Sequence, residues 1–281
     1  MGFLLASLLN AAALPLAVAA ASPAAPACDP IPGWDRVLAD SKIRWIVIGE
    51  LHGTAETPAI FADAVCLTAK ERGPVVVALE MPSGDQAKID AFMASDGGRA
   101  AQAEFFTAML WHMPMKDGRS SEAFFNLFER LRQMHREGRV ARVVAFQDSS
   151  PAQDPPDAGQ GPYEGRLAAI VRDAAAPGTT VLTLVGNLHA RKTEVDFGKP
   201  FMPMATHLPA NETLTLNAIG NGGMAWNCHG PTAADCGPQP YRAPPAPAKR
   251  GVELRRVEDG AYDGALKLGT RTTASPPQPV P

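Results

Sequence analysis

The chain has 281 residues, 46% hydrophobic and 20% charged. That is enough for one sizeable core and too little for two full domains once the ends are set aside. A formal net charge of -3 argues against a nucleic-acid surface, which needs a basic excess; the Arg-rich run at 130–142 is broken by Glu137 and reads as a solvated helix face.

Residues 1–27 read as a signal peptide. The stretch from Phe3 to Ala21 is apolar, uncharged and rich in small residues, with Ala17-Val18-Ala19 as a cleavage-like pattern. It is short for a membrane span and carries Asn10 and Pro15. Export as a periplasmic or secreted protein follows. A lipid anchor at Cys28 is disfavoured, because Ala25-Pro26-Ala27 lies too far past the apolar stretch. Four cysteines in an exported chain allow three pairings. The favoured pairing joins Cys228 to Cys236, close together in a Gly/Pro-containing loop, and Cys28 to Cys66. A metal site of Cys228, His229 and Cys236 fits no standard zinc spacing.

The first strand is expected over 43–48, leading into Gly49-Glu50. A helix follows from Thr57-Pro58 and closes at Gly73. The second strand, 75–79, leads into Glu80-Met81-Pro82, and helices are expected over 83–94 and 100–110. Residues 120–137 place Phe124, Phe125, Leu127, Phe128 and Leu131 at helical spacing, with Gly138 as the stop and Ser120 as the cap. A third strand, 140–146, leads into Gln147-Asp148-Ser149; after a polar loop at 153–162 comes a helix over 163–176. The fourth strand, 180–185, leads into Gly186-Asn187-Leu188-His189, and a fifth is expected over 213–219. Runs without alternation suit strands buried on both faces. Their alternation with helices predicts an α/β fold with a mostly parallel sheet flanked by helices. The domain is expected over 28–237. Residues 238–248 read as a Pro/Ala-rich linker within a 238–281 tail, disordered after about residue 270.

Ligands of open parallel sheets bind beyond the carboxyl ends of the strands. Those ends supply Glu50 and His52, then Glu80, then Asp148, then Asn187 and His189. Two turns share one form, Gly49-Glu50-Leu51-His52-Gly53 and Gly186-Asn187-Leu188-His189-Ala190. Glycine permits the turn, and alternate positions are expected to point both polar side chains one way. A carboxylate flush against a buried strand needs a partner, so Glu50, His52, Glu80 and His189 are the candidate catalytic set. His112, His135, His207 and His229 read as structural histidines. Asp117-Gly118-Arg119-Ser120 opens the long helix, where Arg119 either pairs with a site Glu or clamps an anionic substrate. Trp111-His112-Met113-Pro114-Met115 offers an apolar lid, which adds His112 to Asn187, Arg119 and Asp117 as candidate substrate contacts.

Gly49-Glu50-Leu51-His52-Gly53-Thr54, Leu79-Glu80-Met81-Pro82 and Gly186-Asn187-Leu188-His189-Ala190 resemble the superfamily that joins ChaN-like haem-uptake proteins, Tiki-type metalloproteases and erythromycin esterases. The likeness spans 42–219, and the first motif looks like the esterase version. The resemblance implies an α/β fold with a shared polar site at the strand ends. Its branches imply different chemistry. One is a hydrolase in which His52, oriented by Glu50 or Glu80, is the base and His189 and Asn187 stabilise the oxyanion. Another is a metallohydrolase with a divalent metal on His52 and His189. The third is a haem-binding protein without catalysis, using Trp111, His112, Met113 and Met115. The expected partner is accordingly a small molecule, a peptide or haem.

Overall fold

The computed structural model describes residues 28–149, 154–155 and 157–280, so the signal-peptide expectation for 1–27 lies outside the described residues. The chain opens with α1 (Trp34–Leu38), β1 (Trp45–Glu50), α2 (Glu56–Arg72) and β2 (Val75–Pro82). Next come α3 (Gln86–Ala94), α4 (Arg99–Phe105), α5 (Glu122–Arg136), β3 (Val140–Gln147), α6 (Gly161–Asp173) and β4 (Val181–Gly186). Short strands β5 (Val195–Asp196) and β6 (Pro200–Phe201) form a hairpin ahead of β7 (Thr213–Ile219). A second hairpin pairs β8 (Gly223–Cys228) with β9 (Cys236–Tyr241); β10 (Gly251–Glu253) and β11 (Gly264–Lys267) follow.

Seven strands form one sheet in the order β10-β11-β7-β1-β4-β2-β3, parallel except at the β10 edge. The apolar runs are buried along both faces because alternate residues pack in opposite directions. Ile46, Ile48, Val77 and Leu79 join one core with Phe61 and Val65 of α2 and Phe128 and Leu131 of α5. Trp45, Val47, Val76 and Ala78 join the other with Leu167 and Val171 of α6. Each such side chain removed from water contributes roughly 1.5–3 kcal/mol before the entropy of ordering is subtracted.

Three local expectations shift. The helix expected over 100–110 ends at Phe105, and Met109–His112 forms a 3-10 turn. The buried Asp85 carboxylate causes this by accepting the N–H groups of both Met109 and Leu110. The cap of α5 is Ser121, whose Oγ accepts the Phe124 N–H; Ser120 stands one residue too early.

The third shift is larger. Residues 238–281, expected as linker and disordered tail, contain most of β9 and all of β10 and β11, and β11 extends the central sheet beside β7. Val252, Ala265 and Leu266 are buried there although their strands have only three or four residues. The chain then returns as a strap. Ala274 bridges Thr54, Pro277 bridges Ser121, and Thr272 and Ser275 are buried.

Cys28 bonds Cys66 and Cys228 bonds Cys236, the favoured one of the three pairings. The Cys28 sulfur is thereby committed to a disulfide. Among the described residues no helix is long and apolar enough to cross a membrane.

Candidate functional site

The sheet order explains why distant motifs meet. β4 lies between β1 and β2, and register places Glu50 beside Gly186. The carboxyl ends of three adjacent strands thus deliver Glu50 with His52, Glu80, and His189. Gly49 permits the close approach: a Cβ there would lie 2.9 Å from both the Asn187 Cα and the Ala190 Cβ. Gly186 forms the floor, where a Cβ would stand 3.1 Å from His52 Nε2 and 3.4 Å from Glu80 Oε2.

Glu80 is the centre. Its Oε1 accepts Arg119 Nη1–H at 2.9 Å and lies 3.9 Å from His189 Nε2. Its Oε2 accepts the Gly186 N–H at 2.7 Å and lies 3.5 Å from His52 Nε2. Burial alone opposes charge on this carboxyl, but His52, Arg119 and His189 together hold it far below the usual carboxylate range. Glu80 is therefore a fixed anion.

Each imidazole is backed by its own carboxylate. His52 Nδ1–H donates to Glu50 Oε1 at 2.9 Å. Burial works against the His52 imidazolium; the charge of Glu80 and the hydrogen bonds to Glu50 and Glu80 outweigh it and push the pKa up to about 10. Burial pushes the Glu50 carboxyl up, and its enclosed Oε2 has no hydrogen-bond partner. His189 Nδ1–H donates to Glu164, 2.8 Å from both oxygens. Burial likewise opposes the His189 imidazolium, and the bond to Glu164 with the charge of Glu80 reverses that and raises its pKa.

Glu164 on α6 was missed by sequence reasoning. It is fully buried, and it also accepts the Met204 N–H and the Gln160 side-chain amide. Its signal was present: Glu164, Leu167, Ala168 and Val171 are the buried stripe of α6, so a carboxylate occupies a core position of an amphipathic helix. Its neighbour Tyr163 was also missed. That ring stands edge-on to His189 with centroids 6.4 Å apart, and burial with the nearby Glu80 charge pushes its phenol up to about 12.

Arg119 and Asp117 join the site as one unit. The Asp117 carboxylate accepts from Arg119 Nη2 at 2.6 Å and from Nε at 3.0 Å, which leaves Nη1 for Glu80. The remaining candidates are placed by their contacts. Asn187–Ala190 is a tight turn closed by His189 N–H to the Gly186 carbonyl, so alternation fails there. Asn187 lines neighbouring cavities beside Leu51 and Arg191 while His189 faces Glu80. Asp148 pairs with Arg166. His112 donates Nε2–H to the Phe106 carbonyl. Trp111 is 1% exposed and edge-on to Phe105 and Phe106, so it is aromatic core and offers no flat face for a lid or for haem. His135 and His207 are bonded to main-chain carbonyls as structural histidines.

The donor set does not fit the divalent metal that the resemblance admits on His52 and His189. Among the described residues no three His, Cys, Asp or Glu side chains are grouped to hold an ion. Both Glu80 oxygens are already engaged, and the Arg119 guanidinium supplies the countercharge.

No family model matches this chain. No curated protein matches it either. Solved structures do. A succinoglycan biosynthesis protein superposes with a TM-score of 0.62 at 11% identity, covering 84% of this chain and 90% of that one. A Bacillus cereus protein gives 0.57 at 10% identity, with 87% and 93% covered. An erythromycin esterase, EreC, in its open conformation gives 0.60 at 11% identity, with 86% and 94% covered. The chain therefore shares the α/β fold of these proteins, the erythromycin esterase among them, as the alternation of its strands and helices predicts.

Proposed function

We propose that this chain is an exported, metal-independent hydrolase that cleaves an ester of a small molecule by general acid–base catalysis. The observation that carries the reading is a pair of imidazoles, each with a carboxylate on Nδ1, converging through Nε2 on one buried anion. Two disulfides suit an oxidising compartment and support the export.

The two histidines differ in what they can do. His52 has carboxylates facing both ring nitrogens and a pKa near 10, so at neutral pH it is a cation suited to stabilising negative charge. The base role that sequence gave to His52 passes to His189. Glu164 fixes the tautomer with hydrogen on Nδ1, leaving the Nε2 lone pair free once the ring is neutral. A cavity of about 700 Å³ reaches His189. In the proposed reaction His189 Nε2 takes a proton from water as the water oxygen bonds to the ester carbonyl. Charge developing on the carbonyl oxygen is stabilised, in this proposal, by the His52 imidazolium, whose Nε2 lies over Gly186 beside His189. Collapse expels the alkoxide, which recovers the proton from His189. The acid product leaves, and the ring is neutral again.

His189→Gln is expected to lower kcat/KM on p-nitrophenyl esters by roughly 10²–10⁴, the range of a lost general base. In the wild type, kcat/KM falls as pH drops through the raised His189 pKa, because only the neutral ring accepts the proton. Equal hydrolysis by wild type and His189→Gln would sink the reading.

A further inference from the structure

The cavity at His189 has walls that the proposed reaction does not use. Its lining side chains are Gln160, Leu188, His189, Phe197, Lys199 and Phe201. At about 700 Å³ it lies within the range that encloses most of a small molecule and excludes most of a macromolecule. No carboxylate is among the described residues that line it. The Lys199 ammonium donates to the Asp157 carbonyl at 2.7 Å.

Phe197 stands out. It is 77% exposed, although burying a phenylalanine contributes about 1.5–3 kcal/mol. Its position is built: Gly198 takes φ +95° and donates its N–H to Asp196 Oδ1 at 2.7 Å, which forms the turn between β5 and β6. Phe201 closes the hairpin with its ring centroid 6.1 Å from that of Phe197 and the planes tilted by 55°. The two rings make an open apolar corner. On its other side Phe197 walls a separate cavity of about 380 Å³ with Arg191, Glu194 and Asp196. One exposed ring thus divides an apolar chamber at His189 from a charged one.

We infer that the apolar chamber holds an uncharged aromatic or branched aliphatic acyl group, seated against the corner formed by Phe197 and Phe201 with its carbonyl at His189. The hairpin is then the specificity-determining element, and the assignment of the acyl group rests on the hydrolase reading. Offset or edge-on contact between aromatic rings is favoured in such a corner. A cationic acyl group would find no acidic partner there, and the apolar rings would leave any charged group short of water.

Two readouts on Phe197→Ala and Phe197→Leu test this. Phe197 contributes little to the core, so neither variant endangers the fold. The first readout is kcat/KM for p-nitrophenyl benzoate over that for p-nitrophenyl acetate, which share a leaving group. The ratio is expected to fall about tenfold in Phe197→Ala, the usual effect of apolar pocket contacts, and to recover partly in Phe197→Leu. The second is binding of 2-naphthamide, uncharged and not an ester, followed by its fluorescence; affinity is expected to fall by a similar factor. If His189→Gln abolishes hydrolysis while Phe197→Ala moves neither readout, the chamber is misassigned and the hydrolase stands. If the wild type cleaves no ester yet naphthamide affinity falls in Phe197→Ala, the apolar occupant stands and the ester chemistry falls. Undiminished naphthamide binding in Phe197→Ala overturns the inference.

Discussion

At the scale of single residues, the site stores charge in an arrangement that pH can probe. His52 has an ordinary pKa of 6.5 and a folded value near 10. A raised pKa means that the folded chain holds the proton more tightly than the unfolded chain does. The resulting stabilisation is complete below pH 6.5 and is lost as pH rises through 10. Nitrogen chemical shifts of the His52 ring are therefore expected to report imidazolium from pH 6 to beyond pH 8. In Glu80→Gln, which removes the charge that outweighs burial, the ring is expected to become neutral at a markedly lower pH; an unmoved titration would contradict the assigned cause. Gly53 is the other sensitive position. It takes φ +86°, and a Cβ there would meet the Trp226 carbonyl oxygen at 1.8 Å. Gly53→Ala is expected to cost about 2 kcal/mol or more in chemical denaturation, because backbone strain and a main-chain clash add. The turn that carries His52 would move with it, lowering activity in step.

At the scale of elements, the C-terminal strap is structural support for the site. The Thr273 carbonyl accepts the Ala55 N–H, and the Ser275 N–H donates to the Gly53 carbonyl. The Pro276 carbonyl and Ser275 Oγ accept the N–H groups of Glu122 and Ala123 at the start of α5, and the Gln278 N–H donates to the Ser120 carbonyl. At about 1 kcal/mol each, these bonds predict that deleting 273–281 costs about 4–5 kcal/mol. Hydrogen exchange is expected to quicken at Ala55, Glu122 and Ala123; unchanged protection there would refute the support. This strap was illegible in the sequence. Its Thr, Ser and Pro residues have no periodicity, and only partners some 150–220 positions earlier give them a place. β10 and β11 were hidden for a related reason, since three or four residues are too few to display a pattern. The long strands were legible because burial on both faces writes itself as uninterrupted Val, Ile and Leu. Half of the site was legible by the same logic, as Glu50, Glu80 and His189 stand within four residues of the ends of such runs. Glu164 was not, because a glutamate in a helix reads as solvent-facing unless its place on the apolar stripe is checked, and its histidine lies 25 residues onward.

At the scale of the whole molecule, the two disulfides clamp different ends and should separate stability from activity. Cys28–Cys66 closes 38 residues and Cys228–Cys236 closes 8. Loop-closure entropy assigns roughly 4 kcal/mol to the first and about 2.5 kcal/mol to the second. Location reverses that ranking for function. Cys66 sits beside Arg139, which precedes β3 at the amino end of the sheet, across the molecule from the strand ends that carry His52 and His189. Cys228–Cys236 closes the β8–β9 hairpin. Its Trp226 donates a main-chain N–H to the Gly53 carbonyl at 2.8 Å, one residue from His52. Gly118, between Asp117 and Arg119, is packed against the same turn. The double variant Cys28→Ser/Cys66→Ser is thus expected to lose more stability in urea while keeping most ester hydrolysis at a temperature where it stays folded. Cys228→Ser/Cys236→Ser is expected to lose less stability and more activity, with faster exchange of the Trp226 amide. Parallel losses in both variants would mean that the hairpin does not brace the first motif, and that His52 is held by its two carboxylates alone.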